Sequence, residues 1–448
     1  MVNVNRRLFL GASAGGVILP YVLGADKPKS VETEDAAFNP QTLFLTWHRD
    51  PTTTMVVQWV GTRGETADTK IYYRPLTQPP PPVPVGLLGA GSLVGAATLL
   101  PLAAQFWQVQ PTEARPYPGT DFKVFRAELL NLRPGTDYEF RIGKASPIYR
   151  FRTMPAKATD TIQFISGGDV GVNVHAVANN LVAAGQDPLF VVIGGDLGYD
   201  NGTSVEISLA FLRNYSRHMI GKNNRLIPLI PCIGNHEVAG GYEQPRKKAP
   251  FFYALFDGLF PDTGYNVLDF GDYLSLVLLD TNHTSPIGGA QADWLERTLQ
   301  SRREHPHVLV VNHVPAYPSA RPAVDPKGKA ATGAGNRKYW VPLFEKYRVP
   351  VVLEHHDHTF KRSKPLLGGL ADRNGVLYLG DGSWGRIRGP QKMENLSYLA
   401  SVKADYHLSL HRLQGDERFH LALDENGRVM DVTHTGQRLG GATRTAGN

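Results

Sequence analysis

Five times between residues 168 and 358 a short apolar run rich in Val, Ile and Leu breaks off in a polar block of Gly, Asp, Asn and His. The blocks are Gly168-Asp169-Val170-Gly171, Gly195-Asp196-Leu197-Gly198-Tyr199, Gly234-Asn235-His236-Glu237, Val310-Val311-Asn312-His313 and His356-Asp357-His358. Apolar runs this short suit strands buried on both faces, here expected at 161–166, 188–193, 226–233, 273–279, 308–311, 349–353 and 376–379. Helical periodicity at 175–184, 205–218 and 290–301 supplies the intervening helices. The alternation predicts an α/β domain, whose sites form at the carboxyl ends of strands. Nearly every polar block falls there.

Before Pro155 the pattern is different. Residues 54–59, 70–73 and 123–129 alternate in polarity, as strands of a β-sandwich do. The segment Leu132-Arg133-Pro134-Gly135-Thr136-Asp137-Tyr138-Glu139-Phe140 resembles the signature of fibronectin type III domains, with Pro-Gly making a turn and Tyr138 closing a tyrosine corner. An uncharged tract interrupts this sandwich. It opens at Pro79-Pro80-Pro81-Pro82 and runs as Gly, Ala and Leu to Ala104. Its glycines and Pro101 disfavour a spanning helix, and excising 77–104 leaves a sandwich of about 90 residues, an ordinary length. The tract is read as an inserted loop.

At 448 residues the chain has room for two or three domains and a large core. With 42% hydrophobic and 20% charged residues it is neither a disordered chain nor a polytopic membrane protein. Its net charge of +6 comes without a long Lys/Arg block, which suits an anionic small substrate and gives no footprint for nucleic acid. One cysteine, Cys232, excludes an intramolecular disulfide framework and a cysteine-rich zinc module, and is expected as a buried apolar residue. Any metal would be held by His, Asp, Asn, Glu or Tyr.

Arg6 and Arg7 precede an apolar, small-residue stretch that reaches Gly24 and Ala25, which reads as a twin-arginine export signal over 1–25. Its glycines and Pro20 make it short and weak for a membrane anchor. Cleavage would remove two arginines and no acid, lowering the net charge from +6 to +4. The expected location is periplasmic or secreted, with no stable membrane anchor.

The five ordered blocks resemble those of purple acid phosphatases within the calcineurin-like metallophosphoesterases, whose larger members also carry a fibronectin-like domain. The resemblance implies a fibronectin III-like β-sandwich over 37–155 with the insertion at 77–104. A four-layer αββα catalytic sandwich over 160–435 follows, making the chain a multidomain α+β/α/β protein. It also implies two metal ions. Asp169, Asp196, Tyr199 and His358 would hold Fe(III), because a phenolate suits ferric iron, and Asp196, Asn235, His313 and His356 would hold Zn(II), Fe(II) or Mn(II). Asp196 is the natural carboxylate bridge. His236 would contact phosphate or protonate the leaving alkoxide, with metal-bound hydroxide as nucleophile.

Two positions depart from that pattern. His355 stands where the family has Gly, so a side chain crowds a tight turn, and altered surroundings of the ligands are expected rather than a lost ligand. Between His313 and His355, where plant-type members have substrate-contacting histidines, this chain has none. Arg337 and Arg321 are the candidates there, since a planar guanidinium can bind two phosphate oxygens, although solvated surface charges are an equal reading. His175, His218, His283 and His305 fall outside the blocks and are assigned surface or local structural roles; Trp294, Leu295 and Leu299 form a helix's core face.

The expected activity is hydrolysis of small phosphomonoesters by an exported binuclear metallophosphatase. A phosphodiesterase or nucleotide hydrolase of the same superfamily, and a non-catalytic adhesion protein with a relic site, are the alternatives. The sequence sets no oligomeric state.

Overall fold

The computed structural model describes residues 38–62, 66–76, 106–158, 161–324 and 331–436. The export signal at 1–25 and the apolar tract at 77–104 lie outside them. Among the described residues no helix is long and apolar enough to cross a membrane.

Two four-stranded antiparallel sheets form the N-terminal sandwich. One runs in the order Phe44–Thr46, Met55–Gly61, Lys123–Leu129, Glu113–Pro116, and the other Gln108–Gln110, Ile71–Pro75, Asp137–Ile142, Tyr149–Arg152. Trp59 stacks on Phe125 inside, with ring centroids 5.1 Å apart, and the Tyr138 hydroxyl accepts the Arg133 backbone N–H at 2.8 Å, closing the tyrosine corner. The strands flanking the apolar tract are direct antiparallel partners, Ile71 opposite Gln110 and Tyr73 opposite Gln108. The described strands before and after 77–104 are therefore neighbours in one sheet.

The second domain places two sheets face to face. Ile162–Gly167, Val191–Ile193 and Leu229–Pro231 are parallel in the first, and Leu274–Leu279, His307–Asn312, Val351–Glu354 and Leu377–Asp381 are parallel in the second. Alternate residues of the second sheet part to opposite sides, as strand geometry requires. Leu276, Leu278, Leu309, Val311 and Leu353 join Ile165, Val192 and Ile230 of the first sheet in one core. Val277, Leu279, Val308, Val310 and Val352 pack instead with Leu295 and Leu299 of helix Ala290–Ser301 and with Trp340 and Phe344. Helices Val174–Gly185 and Val205–His218 start at Asn173 and Ser204, whose side chains accept backbone N–H groups of Ala176 and Ile207.

Two of the features not foreseen shape the domain and its setting. The first sheet is completed by antiparallel strands His407–Gln414, Glu417–Asp424 and Val429–Thr435, entering beside Ile162–Gly167. The sandwich also docks through a continuous buried core. Trp47 meets Phe190 and Phe270 edge-on, the Thr46 hydroxyl donates to Leu229 O at 2.7 Å, and Arg126 pairs with Asp257 at 2.6 Å.

Candidate metal centre

The two sets of parallel strands end on the same side, and the five polar blocks meet where they end. Asp169 follows Ile162–Gly167, Asp196 follows Val191–Ile193, Asn235 and His236 follow Leu229–Pro231, His313 follows His307–Asn312, and His356 and His358 follow Val351–Glu354. Turning a side chain inward so soon after a strand bends the backbone sharply. Asp169, Asp196, Tyr199, His356 and His358 have φ of 57°, 55°, 67°, 71° and 59°. That left-handed conformation costs a non-glycine residue on the order of 1 kcal/mol or more, and such strain gathers at functional sites.

The donor atoms fall into two groups. Asp169 Oδ1, the Tyr199 hydroxyl and His358 Nε2 make a triangle with sides of 3.1, 3.1 and 3.0 Å. His313 Nε2 is approached by Asn235 Oδ1 at 3.1 Å, His356 Nδ1 at 3.1 Å and Asp196 Oδ1 at 3.3 Å. One donor atom each from Asp169, Asp196, His313 and His356, all buried, lies within 4.8 Å of every other, linking the groups. The structure thus brings all seven sequence-predicted metal-site residues together.

The chemistry of this donor set fits cations. His313 Nδ1 lies 2.9 Å from Gly194 O, which can only accept, so Nδ1 carries the hydrogen and Nε2 faces the cluster. Burial alone would push Asp196 up, yet the His313 imidazolium holds it well below the usual carboxylate range. His313, against the pull of burial, rises to about 9 beside that carboxylate. The position favours positive charge, a proton or a metal ion in its place. Asp196 Oδ2 is buried without a hydrogen-bond partner, an orphan that a cation would satisfy. Burial, then Asp169, raises the Tyr199 phenol well above its ordinary value, so a cation is what would draw off its proton.

Neighbours hold these groups in place. The buried Glu237 carboxylate accepts the N–H groups of Asp196, Leu197 and Gly234 at 2.8, 2.7 and 2.8 Å, tying two blocks together. Burial first, and Asp196 next, raises it to about 8. His356 N–H donates to Asp169 Oδ2 at 2.8 Å. His236 is outside both donor groups: its side chain is about one-third exposed, its Nε2 lies 4.0 Å from Asp196 Oδ2, and its Nδ1 is bonded to Asn201 Oδ1. Burial lowers its pKa while Asp196 pushes back.

His355 does not distort its turn. Its φ is not left-handed, and its imidazole enters space left by Gly168 and Gly194, with Nδ1 2.9 Å from Asn312 O. The arginines proposed for phosphate binding have other partners. Arg337 donates to the carbonyls of Ala316, Thr332 and Ala323, bracing the loop after His313. Arg321 donates to His356 O and pairs with Asp357 at 2.8 Å, bracing the turn that presents His356 and His358.

Tyr242 and Arg386 were not singled out from sequence as neighbours of the site, and His283, assigned a surface or local structural role, is buried beside it. Tyr242 places its hydroxyl 3.2 Å from His356 Nε2 and 3.4 Å from Asn235 Oδ1, and Gly240-Gly241 just after the third block was the available signal. His283, fully buried, hydrogen-bonds Thr281 and Gly241 beside that tyrosine. Arg386 lies with its guanidinium carbon 4.3 Å over the Tyr199 ring. No local pattern marked either of the last two.

Residues 40–153 match the purple acid phosphatase N-terminal domain, and residues 168–360 match the calcineurin-like phosphoesterase family. An uncharacterized protein of Mycobacterium tuberculosis is 28% identical over 373 residues, covering 73% of this chain and 63% of that protein. Purple acid phosphatase 21 of Arabidopsis thaliana is 25% identical over 283 residues, 60% of this chain and 59% of that protein. The chain thus spans about three-fifths of the length of these relatives. The structure of purple acid phosphatase PPD1 from yellow lupin, Lupinus luteus, superposes with a TM-score of 0.67 at 14% identity, over 88% of this chain and 74% of that one, and so shares the fold.

Proposed function

From the premise that this chain belongs to the calcineurin-like phosphoesterases and carries the purple acid phosphatase N-terminal domain, we propose that it hydrolyses phosphomonoesters at a centre of two metal ions. The observation that carries the reading is the pair of donor groups beside the Asp196 carboxylate, one of whose oxygens is buried without a partner. Asp169, Tyr199 and His358 would hold one ion, Asn235, His313 and His356 the other, and Asp196 both. The phenol among the first set favours Fe(III) there, and the N/O set of the second suits Zn(II), Fe(II) or Mn(II). Held there, two such ions would supply Lewis acidity and lower the pKa of a bound water.

The chain's own residues do the rest. His236, held through Nδ1 by Asn201, keeps Nε2 4.0 Å from Asp196 Oδ2 on a partly exposed side chain, where it can carry a proton to a leaving alkoxide. Glu237 fixes the backbone of Asp196 so that its carboxylate cannot swing from the cluster. The test is metal analysis, a visible spectrum and turnover of a phosphomonoester and a phosphodiester by purified protein. Two metals per chain and a higher kcat/KM for the monoester are expected. Fewer than one metal per chain, or a preference for the diester, would overturn the reading.

A further inference from the structure

One cation at the mouth of the cluster has no structural work among the described residues. Arg386 is exposed, forms no ion pair or hydrogen bond there, and lies over the face of the Tyr199 ring, whose centroid is 4.3 Å from the guanidinium carbon. Tyr199 in turn holds the His236 ring, with centroids 4.3 Å apart. Arg386 thus touches the residue that joins the donor cluster to the proton carrier.

Its position is fixed by the backbone on both sides. Trp384 N–H donates to Gly168 O at 3.2 Å, Gly385 N–H to Asp169 O at 3.1 Å, and Arg388 N–H to His358 O at 2.8 Å. Beneath, the Trp384 indole is fully buried, with Nε1 3.0 Å from Asn180 Oδ1, against Gly167, where a Cβ would stand 2.1 Å from the ring. A Cβ on Gly385 would meet Val170 O at 1.9 Å, so the chain is seated as closely as glycine permits. The segment carrying Arg386 therefore moves with the two blocks that hold Asp169 and His358, so the backbone from which the guanidinium reaches the Tyr199 ring is placed before any ligand arrives. Arg321 and Arg337, by contrast, are engaged by carbonyls and a carboxylate.

We propose that Arg386 is a substrate-contacting residue, binding non-bridging oxygens of the phosphate group seated at the cluster and favouring a dianionic monoester over a monoanionic diester. This rests on the phosphoesterase reading above. A planar guanidinium lying on an aromatic face keeps its N–H edge free for a second partner, and a phosphate matches that edge with two oxygens. The added negative charge of a monoester strengthens the contact at a partly desolvated rim.

The test uses full-length metal-loaded protein and inorganic phosphate as the probe, with binding read by calorimetry. Arg386→Ala should weaken phosphate binding by at least about tenfold, and Arg386→Lys by less, with metal content unchanged. Arg388→Ala, an equal charge change two residues on, should change it by less than about threefold, as a screened surface charge does. In turnover, Arg386→Ala should lower kcat/KM for a monoester more than for a diester. Unchanged binding in Arg386→Ala, an equal effect of Arg388→Ala, or a wild type that binds no phosphate at about 10 mM would each overturn the proposal. A protein that binds phosphate through Arg386 yet turns over no monoester would sink the phosphomonoesterase reading and leave this contact standing. Monoester turnover untouched by Arg386→Ala would do the reverse.

Discussion

The imidazole of His355 occupies the space that Gly194 leaves: a Cβ at residue 194 would stand 1.9 Å from Cε1 of that ring. His355 and Gly194 follow facing strands of the two sheets, so their fit sets how closely the sheets approach just behind the donor cluster. Gly194 has an ordinary φ, so alanine there is opposed by contact alone. Gly194→Ala should destabilise the protein by about 3 kcal/mol, while Gly194→Ala in a His355→Gly background should cost about 1 kcal/mol or less. A double-mutant cycle by denaturant unfolding measures the difference, and additivity would deny the coupling.

Tyr199 is the one phenol inside the donor triangle with Asp169 and His358. Visible absorption from a phenolate-to-iron transition should therefore be present in the wild type and absent in Tyr199→Phe. A colourless wild type with iron at full occupancy would remove Tyr199 from the ligands.

His236 stands beside the cluster and Asn235 within it. His236→Ala should keep two metals per chain and lose turnover by about 10²- to 10⁴-fold, whereas Asn235→Ala should lose a metal. Asn201→Ala, which removes the partner of His236 Nδ1, should lower kcat by about tenfold at full metal content. Metal analysis beside steady-state kinetics separates the three, and a metal missing from His236→Ala would make that residue a ligand.

Arg337 gives the opposite expectation from Arg386. Its guanidinium serves three backbone carbonyls, so Arg337→Ala should destabilise by about 2 kcal/mol and leave KM for a phosphomonoester within about twofold. A raised KM with an unchanged melting temperature would return Arg337 to the substrate.

Stability should also depend on acid through His307. Burial, reinforced by Arg418, lowers its pKa to about 4 from an ordinary 6.5. Its Nε2 faces Gly415 O at 2.9 Å and its Nδ1 faces Arg418 Nη1 at 3.1 Å, so the folded protein keeps the ring neutral. The unfolded chain takes up that proton below 6.5, so this contribution is complete above pH 6.5 and is lost as pH falls toward 4, about 3 kcal/mol in all. His307→Gln should flatten the slope of stability against pH in that window by about one proton. An unchanged slope in denaturant titrations would show that His307 titrates normally.

Much of the site was legible because its chemistry is local to each strand end. A run such as Val308 to Val311 can only be buried, and the first polar side chain after it must turn toward whatever lies at the strand's carboxyl end. The blocks holding Asp169, Asp196, Asn235, His313, His356 and His358 stand out this way with no knowledge of which strands are neighbours, and their resemblance to a family pattern named the ligands among them. Tyr138 was legible for a similar reason, since its turn and its hydrogen-bond partner lie within six residues.

What the tertiary structure decided is everything set by distance along the chain. Strand His407–Gln414 joins the first sheet beside Ile162–Gly167, some 240 residues away, and half-buried alternation cannot say which edge a strand will extend. Arg337, in the short helix Ala334–Tyr339, and Arg386, in a loop, are the same residue type and look alike from sequence. One became a brace because three carbonyls converge on it, and the other lies on the Tyr199 ring with no ion pair among the described residues, on a backbone pinned to Asp169 and His358. His355 is the sharpest case. From sequence it crowds a turn, but the folded chain accommodates it, because the missing side chains of Gly168 and Gly194 on the opposite sheet leave the volume its ring needs.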